Sequence, residues 1–205
     1  MTAYFLSITT MVVGNLFALR QKNLKRFLAF SSITQAGFMM LGFVNNDSLG
    51  MNTIVYFMLI YSLSNLAVFG VLSIVTNNTG KENMEDFNGF YRTNPGLSLI
   101  MLLALFSLAG IPPVAGFFGK FFLFTAAASK GMFILVFIAV LNATISLYYY
   151  LLVVKAMFIN KSETPIPALQ PKKKKKIAFS ICLIGIVMIG FLSVVFSHIE
   201  KVVGY

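Results

Sequence analysis

The chain has one cysteine, one histidine, no tryptophan and only six acidic residues among its 205. A lone Cys182 excludes an internal disulfide and any cysteine-ligated iron–sulfur cluster or zinc site. A lone His198 excludes a bis-histidine haem or a histidine-rich metal centre. Any redox chemistry the protein serves must run on electrons carried by partners. The acids Asp47, Glu82, Glu85, Asp86, Glu163 and Glu200 all fall in polar stretches or at segment ends, so no acid pair sits within an apolar segment. A Ser/His/Asp set and a phosphate-binding glycine loop are also missing. Nucleophilic, metal and nucleotide chemistry find no support, and neither a cofactor nor a metal site is expected in this chain.

Charge is scarce as well. Charged residues make up 11% of the chain and hydrophobic ones 58%, against about 25% charged in a soluble domain. Mean hydropathy is +0.85. Such a chain cannot cover a water-facing surface, and it is far too apolar for disorder. The net charge of +10 would suit nucleic acid only if basic residues shared a soluble face. Here they punctuate long apolar runs, so no nucleic-acid partner is expected. The composition is that of a polytopic membrane protein.

Transmembrane helices need about 20 mostly apolar residues. Segments near 2–19, 27–44, 51–76, 97–126, 132–158 and 177–197 meet that need, predicting an all-α bundle of about six spans. Met1–Leu19 lacks a basic leader and a small-residue cleavage site, so it reads as the first span rather than a signal peptide. The connections at 20–26, 77–96 and 159–176 share one side and carry twelve basic residues; the other side carries Lys130 and Lys201. The positive-inside rule puts the basic side in the cytoplasm and both termini outside. The Lys172–Lys176 run reads first as a topology signal, with anionic headgroups as a further contact. Lys155, near a span end, can snorkel to the boundary.

Lys120 fits no such role. It is flanked by Phe117, Phe118, Phe121, Phe122 and Phe124 well inside an apolar segment. An ammonium at mid-bilayer costs at least about 2.5–3.5 kcal/mol, and taking it out of water favours its deprotonated form, as proton exchange requires. Just before it, Gly110-Ile111-Pro112-Pro113 interrupts the fourth span. The two prolines cannot donate to the carbonyls of Leu108 and Ala109, and Ile111 is pushed from helical geometry. Broken backbone at membrane depth persists only where protein or water satisfies it, and such breaks mark ion sites in transporters. At helical spacing, Pro113, Gly116 and Lys120 share a face on which the small Gly116 admits a neighbouring helix.

Other spans present polar faces. Ser31, Gln35 and Gly42 recur on the second with Ser32 adjacent; Tyr61 and Asn65 pair on the third; Asn142, Ser146 and Tyr149 line the fifth; Ser7, Thr10 and Gly14 line the first. Each alone serves helix packing. With one buried lysine they suggest a hydrated file for protons. The Tyr148–Tyr150 run reads as packing and interface anchoring, Cys182 as a small apolar filler and His198 as an interfacial residue.

Several stretches resemble a known family. They are Met11–Ile33 (MVVGNLFALRQKNLKRFLAFSSI), Asp86–Tyr91 (DFNGFY) followed by Pro95, Ser107–Phe121 (SLAGIPPVAGFFGKF) and Ser146–Leu151 (SLYYYL). Together they resemble the subunit N family of proton-pumping NADH:quinone oxidoreductase, respiratory complex I, strongly over residues 3–158 and weakly beyond. Other antiporter-like subunits of complex I, multisubunit sodium/proton antiporters and membrane-bound hydrogenases share parts of the pattern.

The resemblance implies fourteen helices built from two inverted five-helix repeats, of which this chain resembles the ninth to fourteenth. Residues 1–158 would be the second repeat, 159–176 a basic cytoplasmic loop and 177–205 the final helix and tail. It implies a discontinuous twelfth helix whose proton-translocating lysine maps onto Lys120, and termini on the periplasmic side. NADH, FMN, iron–sulfur clusters and quinone would belong to partner subunits. Two departures stand out. Gln35 occupies a position where many relatives have histidine, and the first repeat is missing, as in a C-terminal fragment, a split gene or a chain begun at an internal Met. The expected function is a membrane-arm subunit supplying one proton half-channel, in a bacterial inner membrane rather than an organelle, among other membrane subunits of complex I. The alternatives are a subunit of a sodium/proton antiporter and a non-transporting membrane scaffold.

Overall fold

In the computed structural model the chain is described over residues 2–45 and 47–191, with Phe191 described in its backbone only. His198, Glu200, Lys201 and the far end of the sixth span lie outside the described residues. Among the described residues there is no strand, only one isolated bridge, Asn23 to Asn83. The helices are α1 (Thr2–Leu19), α2 (Leu24–Asn45), α3 (Ser48–Thr79), a short α4 (Phe90–Thr93), α5 (Pro95–Ala109), α6 (Ala115–Ser129), α7 (Phe133–Phe158) and α8 (Lys173–Phe191).

Helices α1, α2, α3 and α7 are each long and apolar enough to cross a membrane, and α5 and α6 are shorter apolar helices. The predicted fourth span is therefore two half-helices separated at 110–114. Each half is 15 residues, about 22 Å at 1.5 Å per residue, so neither half alone spans a hydrocarbon core of about 30 Å. Spans one and five fall as predicted, and the second starts three residues early. The third is three residues longer than read at each end, because Ser48 already follows the Asp47 cap and Asn77–Thr79 continue the helix until Gly80 ends it at φ 69°. Lys173–Lys176, read as loop, form the first turn of α8. Lysine is a good helix former, and nothing after Pro171 breaks the chain.

Local chemistry sets these boundaries. Asp47 caps α3 by accepting the Gly50 N–H at 2.8 Å. Pro95 opens α5 at a position where its missing N–H costs nothing, and Gly110 closes it in the left-handed region at φ 84°. On the basic side the 20–23 and 80–84 connections are laced together. The Leu24 N–H donates to the Glu82 carbonyl and the Met84 N–H to the Lys22 carbonyl, both at 2.8 Å, while Lys25 pairs with Glu82. The Lys25 ammonium, then the Asn23 amide, hold the Glu82 carboxyl below the usual carboxylate range.

Helix α3 runs through the middle, packing on α2, α5, α6 and α8, while α1 lies against α2 and α7. The outward faces keep large apolar side chains such as Phe5, Leu66, Phe133 and Ile181 exposed, as a lipid-facing surface requires. The inner faces join small residues to hydroxyls. Ser7 of α1, for instance, donates to the Gly37 carbonyl of α2 at 2.8 Å. Lipid tails match the apolarity of these side chains, so close packing and interhelical hydrogen bonds hold the bundle.

Candidate proton-handling site

Lys120 sits on the second turn of α6, buried to 4% exposure, while neighbouring Phe121 is 51% exposed. One helical step of 100° thus sends the charged chain inward and the ring outward. The Lys120 Nζ donates to the Leu108 carbonyl at 2.9 Å and the Ala109 carbonyl at 3.0 Å. These are the two carbonyls deprived of helical donors by Pro112 and Pro113. Lysine and break are thus one unit: the interruption makes two acceptors, and the ammonium fills them. Those carbonyls also form the negative end of the α5 dipole, which favours a cation. The Phe38 ring faces the ammonium, its centroid 4.9 Å away, adding a cation–π contact. Among the described residues no carboxylate bonds to Lys120. The ion pairs among the described residues are Lys25–Glu82 and Lys130–Asp47, both at helix ends or in connections.

Two glycines shape this junction. Gly110 takes the positive φ that ends α5, and a Cβ there would lie 3.0 Å from the Lys120 Cδ. At Gly116 a Cβ would lie 1.7 Å from the Ser107 carbonyl oxygen, so only glycine lets the start of α6 lie against the end of α5. The neighbour admitted by Gly116 is thus the other half of its own span. Pro113 precedes α6 and is exposed. The expected Pro113–Gly116–Lys120 face therefore begins only at Gly116.

The predicted polar residues divide into two groups. Gln35 belongs to the first: its Nε2 donates to the Leu108 carbonyl at 3.2 Å and lies 3.3 Å from the Tyr150 hydroxyl. Leu108 is therefore shared between Lys120 and Gln35. A cavity of about 10 Å³, the size that holds one water, is lined by Gln35, Tyr61, Ser64, Ser107, Leu108 and Gly116 among others. Ser64 donates to the Ser107 hydroxyl across it at 2.8 Å. Tyr61, bonded to Asn65 at 3.2 Å, also lines an outer groove on α3.

The second group centres on Asn15, which the sequence reading passed over. Its Nδ2 donates to the Asn142 side-chain oxygen at 2.8 Å, and its Oδ1 accepts from Tyr149 at 2.9 Å and Thr34 at 3.2 Å. Asn15 thereby ties α1 to α2 and α7. The groups meet where the Tyr149 and Tyr150 rings pack edge to face, 4.8 Å apart. The tyrosine run is split as helical geometry demands: Tyr148 is 59% exposed, its two successors buried. Ser31 and Ser32 both donate to the Leu28 carbonyl, and Ser146 donates to that of Ala143. Ser32 and Ser146 satisfy their own helices rather than joining Lys120, whereas Ser31 also meets the Tyr150 hydroxyl beside Gln35. A lone Asn in an apolar helix was the available signal for Asn15. Ser64, Ser107, Thr34 and Tyr150 had no signal beyond being polar.

Among the described residues no group of three or more His, Cys, Asp or Glu is placed to hold a metal ion. The site offers one buried ammonium, hydroxyls, amides and freed carbonyls, chemistry that suits holding a proton.

Residues 1–146 match the model of a family described as NADH:quinone oxidoreductase/Mrp antiporter, transmembrane. The chain is 52% identical over 200 residues to NADH-quinone oxidoreductase subunit N of Azobacteroides pseudotrichonymphae genomovar. CFP2, covering 97% of itself and 42% of that relative. It superposes with TM-score 0.83 and 33% identity on a chain of respiratory complex I from Thermus thermophilus with bound aureothin, covering 96% of itself and 44% of that chain. The Mrp complex from Dietzia sp. DQ12-45-1b gives TM-score 0.87 at 19% identity, over 98% and 46%, a likeness of fold. The chain thus spans less than half the length of the relatives it matches.

Proposed function

Because this chain belongs to the NADH:quinone oxidoreductase/Mrp antiporter family of transmembrane subunits, we propose that it acts as a membrane-arm component of an NADH:quinone oxidoreductase. In this reading it contributes a proton-translocation half-channel driven by electron transfer in partner subunits. One observation carries the reading: a buried lysine ammonium held by the two carbonyls that a double proline frees. With partners that are neutral dipoles rather than carboxylates, either protonation state is accessible. A proton reaches or leaves Lys120 through the Gln35–Tyr61–Ser64–Ser107 cluster around the small cavity, with no redox group needed in the chain.

Residues 1–158 serve as the second five-helix repeat, and the helix from Lys173 is the final span. The other membrane subunits of the enzyme and the lipid bilayer surround it, in a bacterial inner membrane with both termini on the periplasmic side. The basic residues collected on the 20–26, 77–96 and 159–176 connections support that orientation. A sodium/proton antiporter subunit is the second reading, favoured by the breadth of the family, whose description includes the Mrp antiporter.

The deciding experiment is Lys120→Ala in the assembled complex. Assembly should remain intact while protons pumped per electron fall. An unchanged stoichiometry overturns the role of Lys120 and leaves the scaffold reading. Sodium movement lost together with proton movement would favour the antiporter reading.

A further inference from the structure

The basic ends of α5 and α8 enclose a groove that the proton-handling site does not use. Its volume is about 560 Å³, and its wall includes Gly96, Leu97 and Ile100 from α5 and Lys176, Phe179 and Leu183 from α8. These residues are graded along the membrane normal. Gly96 and Lys176 are exposed at the helix starts, while Ile100 and Leu183 lie one to two turns deeper, about 6–10 Å at 1.5 Å per residue. The shallow end is cationic and polar, and the deep end is apolar.

Two facts sharpen the cationic end. Asn94, the residue before α5, does not cap the helix. Its side chain instead holds the 167–169 connection, donating to the Pro167 carbonyl at 3.0 Å and accepting the Leu169 N–H at 2.7 Å. Pro95 has no N–H and the Ser98 N–H donates to the Asn94 carbonyl at 3.0 Å, which leaves the Gly96 and Leu97 N–H groups at the start of α5 without a side-chain acceptor from Asn94. Lys176 ends the run Lys172–Lys176, and none of the five pairs with an acid among the described residues. Among the described residues no carboxylate lines the groove.

We infer that this groove seats an anionic phospholipid, its phosphate at Lys176 and the start of α5 and an acyl chain between Ile100, Phe179 and Leu183. The apolar floor selects a lipid over free phosphate, and the unpaired positive charge selects an anionic headgroup over a zwitterionic one. The site pins α8 to α5 from the basic side. It is independent of Lys120 chemistry, so the two readings fail separately.

The test uses the full chain in its native membrane assembly, purified in mild detergent from membranes containing phosphatidylglycerol and phosphatidylcholine. Retained lipid is counted by native mass spectrometry. Lys176→Glu and Ile100→Trp should each lower retained phosphatidylglycerol roughly fivefold or more, and Lys176→Arg should restore it. Lys161→Glu makes the same charge change on the connection that leads into α8, where the flanking Asn160 and Ser162 lie beside Gly89, and should retain the wild-type amount. Equal loss in Lys161→Glu, meaning diffuse attraction, would overturn the proposal. So would unchanged retention in Ile100→Trp, or capture of a protein rather than a lipid by a photoreactive group at Ser180.

Discussion

The Nζ of Lys120 donates to the carbonyl oxygen of Leu108, 2.9 Å away and twelve residues earlier, across the break that separates their half-helices. Leu108 lies four residues before Pro112, whose ring nitrogen has no proton to give it. The lysine therefore replaces a missing backbone donor and terminates α5 as a cation. That relationship predicts what happens when the charge is removed.

Lys120→Met should fold. The substitution relieves the cost of burying an ammonium but leaves the Ala109 carbonyl without this donor, whereas Leu108 keeps Gln35. The opposing effects should leave stability within about 1–2 kcal/mol of wild type. Thermal unfolding of the purified assembly checks this, and a collapse of assembly would show that the ammonium is a structural necessity.

Gly116→Ala should be severe. Its methyl would meet the Ser107 carbonyl oxygen at 1.7 Å, a backbone atom that cannot rotate away. Separating α6 from α5 should cost about 1–3 kcal/mol or more and pull Lys120 from its carbonyls. Gly96→Ala, where the added methyl meets open space, should stay within about 0.5 kcal/mol. Parallel melting curves of the two variants settle the contrast.

Asn15→Leu removes one donor and one shared acceptor at a three-helix junction. Interhelical bonds in membranes contribute about 0.6 kcal/mol each, so a loss of about 1–2 kcal/mol is expected. Tyr149→Phe should cost less in the Asn15→Leu background than alone, because its partner has already gone. A double-mutant cycle reads this directly; strict additivity would separate the two residues.

On the side opposite the basic connections, Asp47 pairs with Lys130 at 2.8 Å. The Lys130 ammonium, then the Gly50 N–H, hold the Asp47 carboxyl below its ordinary value of 3.8. A depressed folded value stabilises the fold in full above the unfolded one. That contribution fades as pH falls below about 4 and through the folded value. Both side chains are partly exposed, so its size is at most about 1 kcal/mol. Asp47→Asn keeps a good helix cap but should lose this part of the acid-limb dependence. Parallel acid melts of variant and wild type would refute the pairing.

How much of this was legible in the sequence follows from the kind of signal each feature carries. The spans show in hydropathy because lipid demands long apolar runs. The break shows because two prolines forbid the same two hydrogen bonds in any context. Lys120 stands out because an ammonium among phenylalanines has no local explanation. Gln35 and Tyr61 line the small cavity beside Leu108, whereas Ser32 and Ser146 bond to carbonyls of their own helices, as a serine can.

The sequence by itself determined that this is a multi-pass helical membrane protein with an interrupted span and one misplaced lysine. Those properties arise from composition, period and covalent geometry, which act within a few residues. Only the tertiary structure decided that Lys120 reaches back to Leu108 and Ala109, that Gly116 lies on Ser107, and that Asn15 joins three helices. Such pairings depend on the angles and depths at which helices meet, and a lone polar residue in an apolar helix does not reveal its partner until they have met.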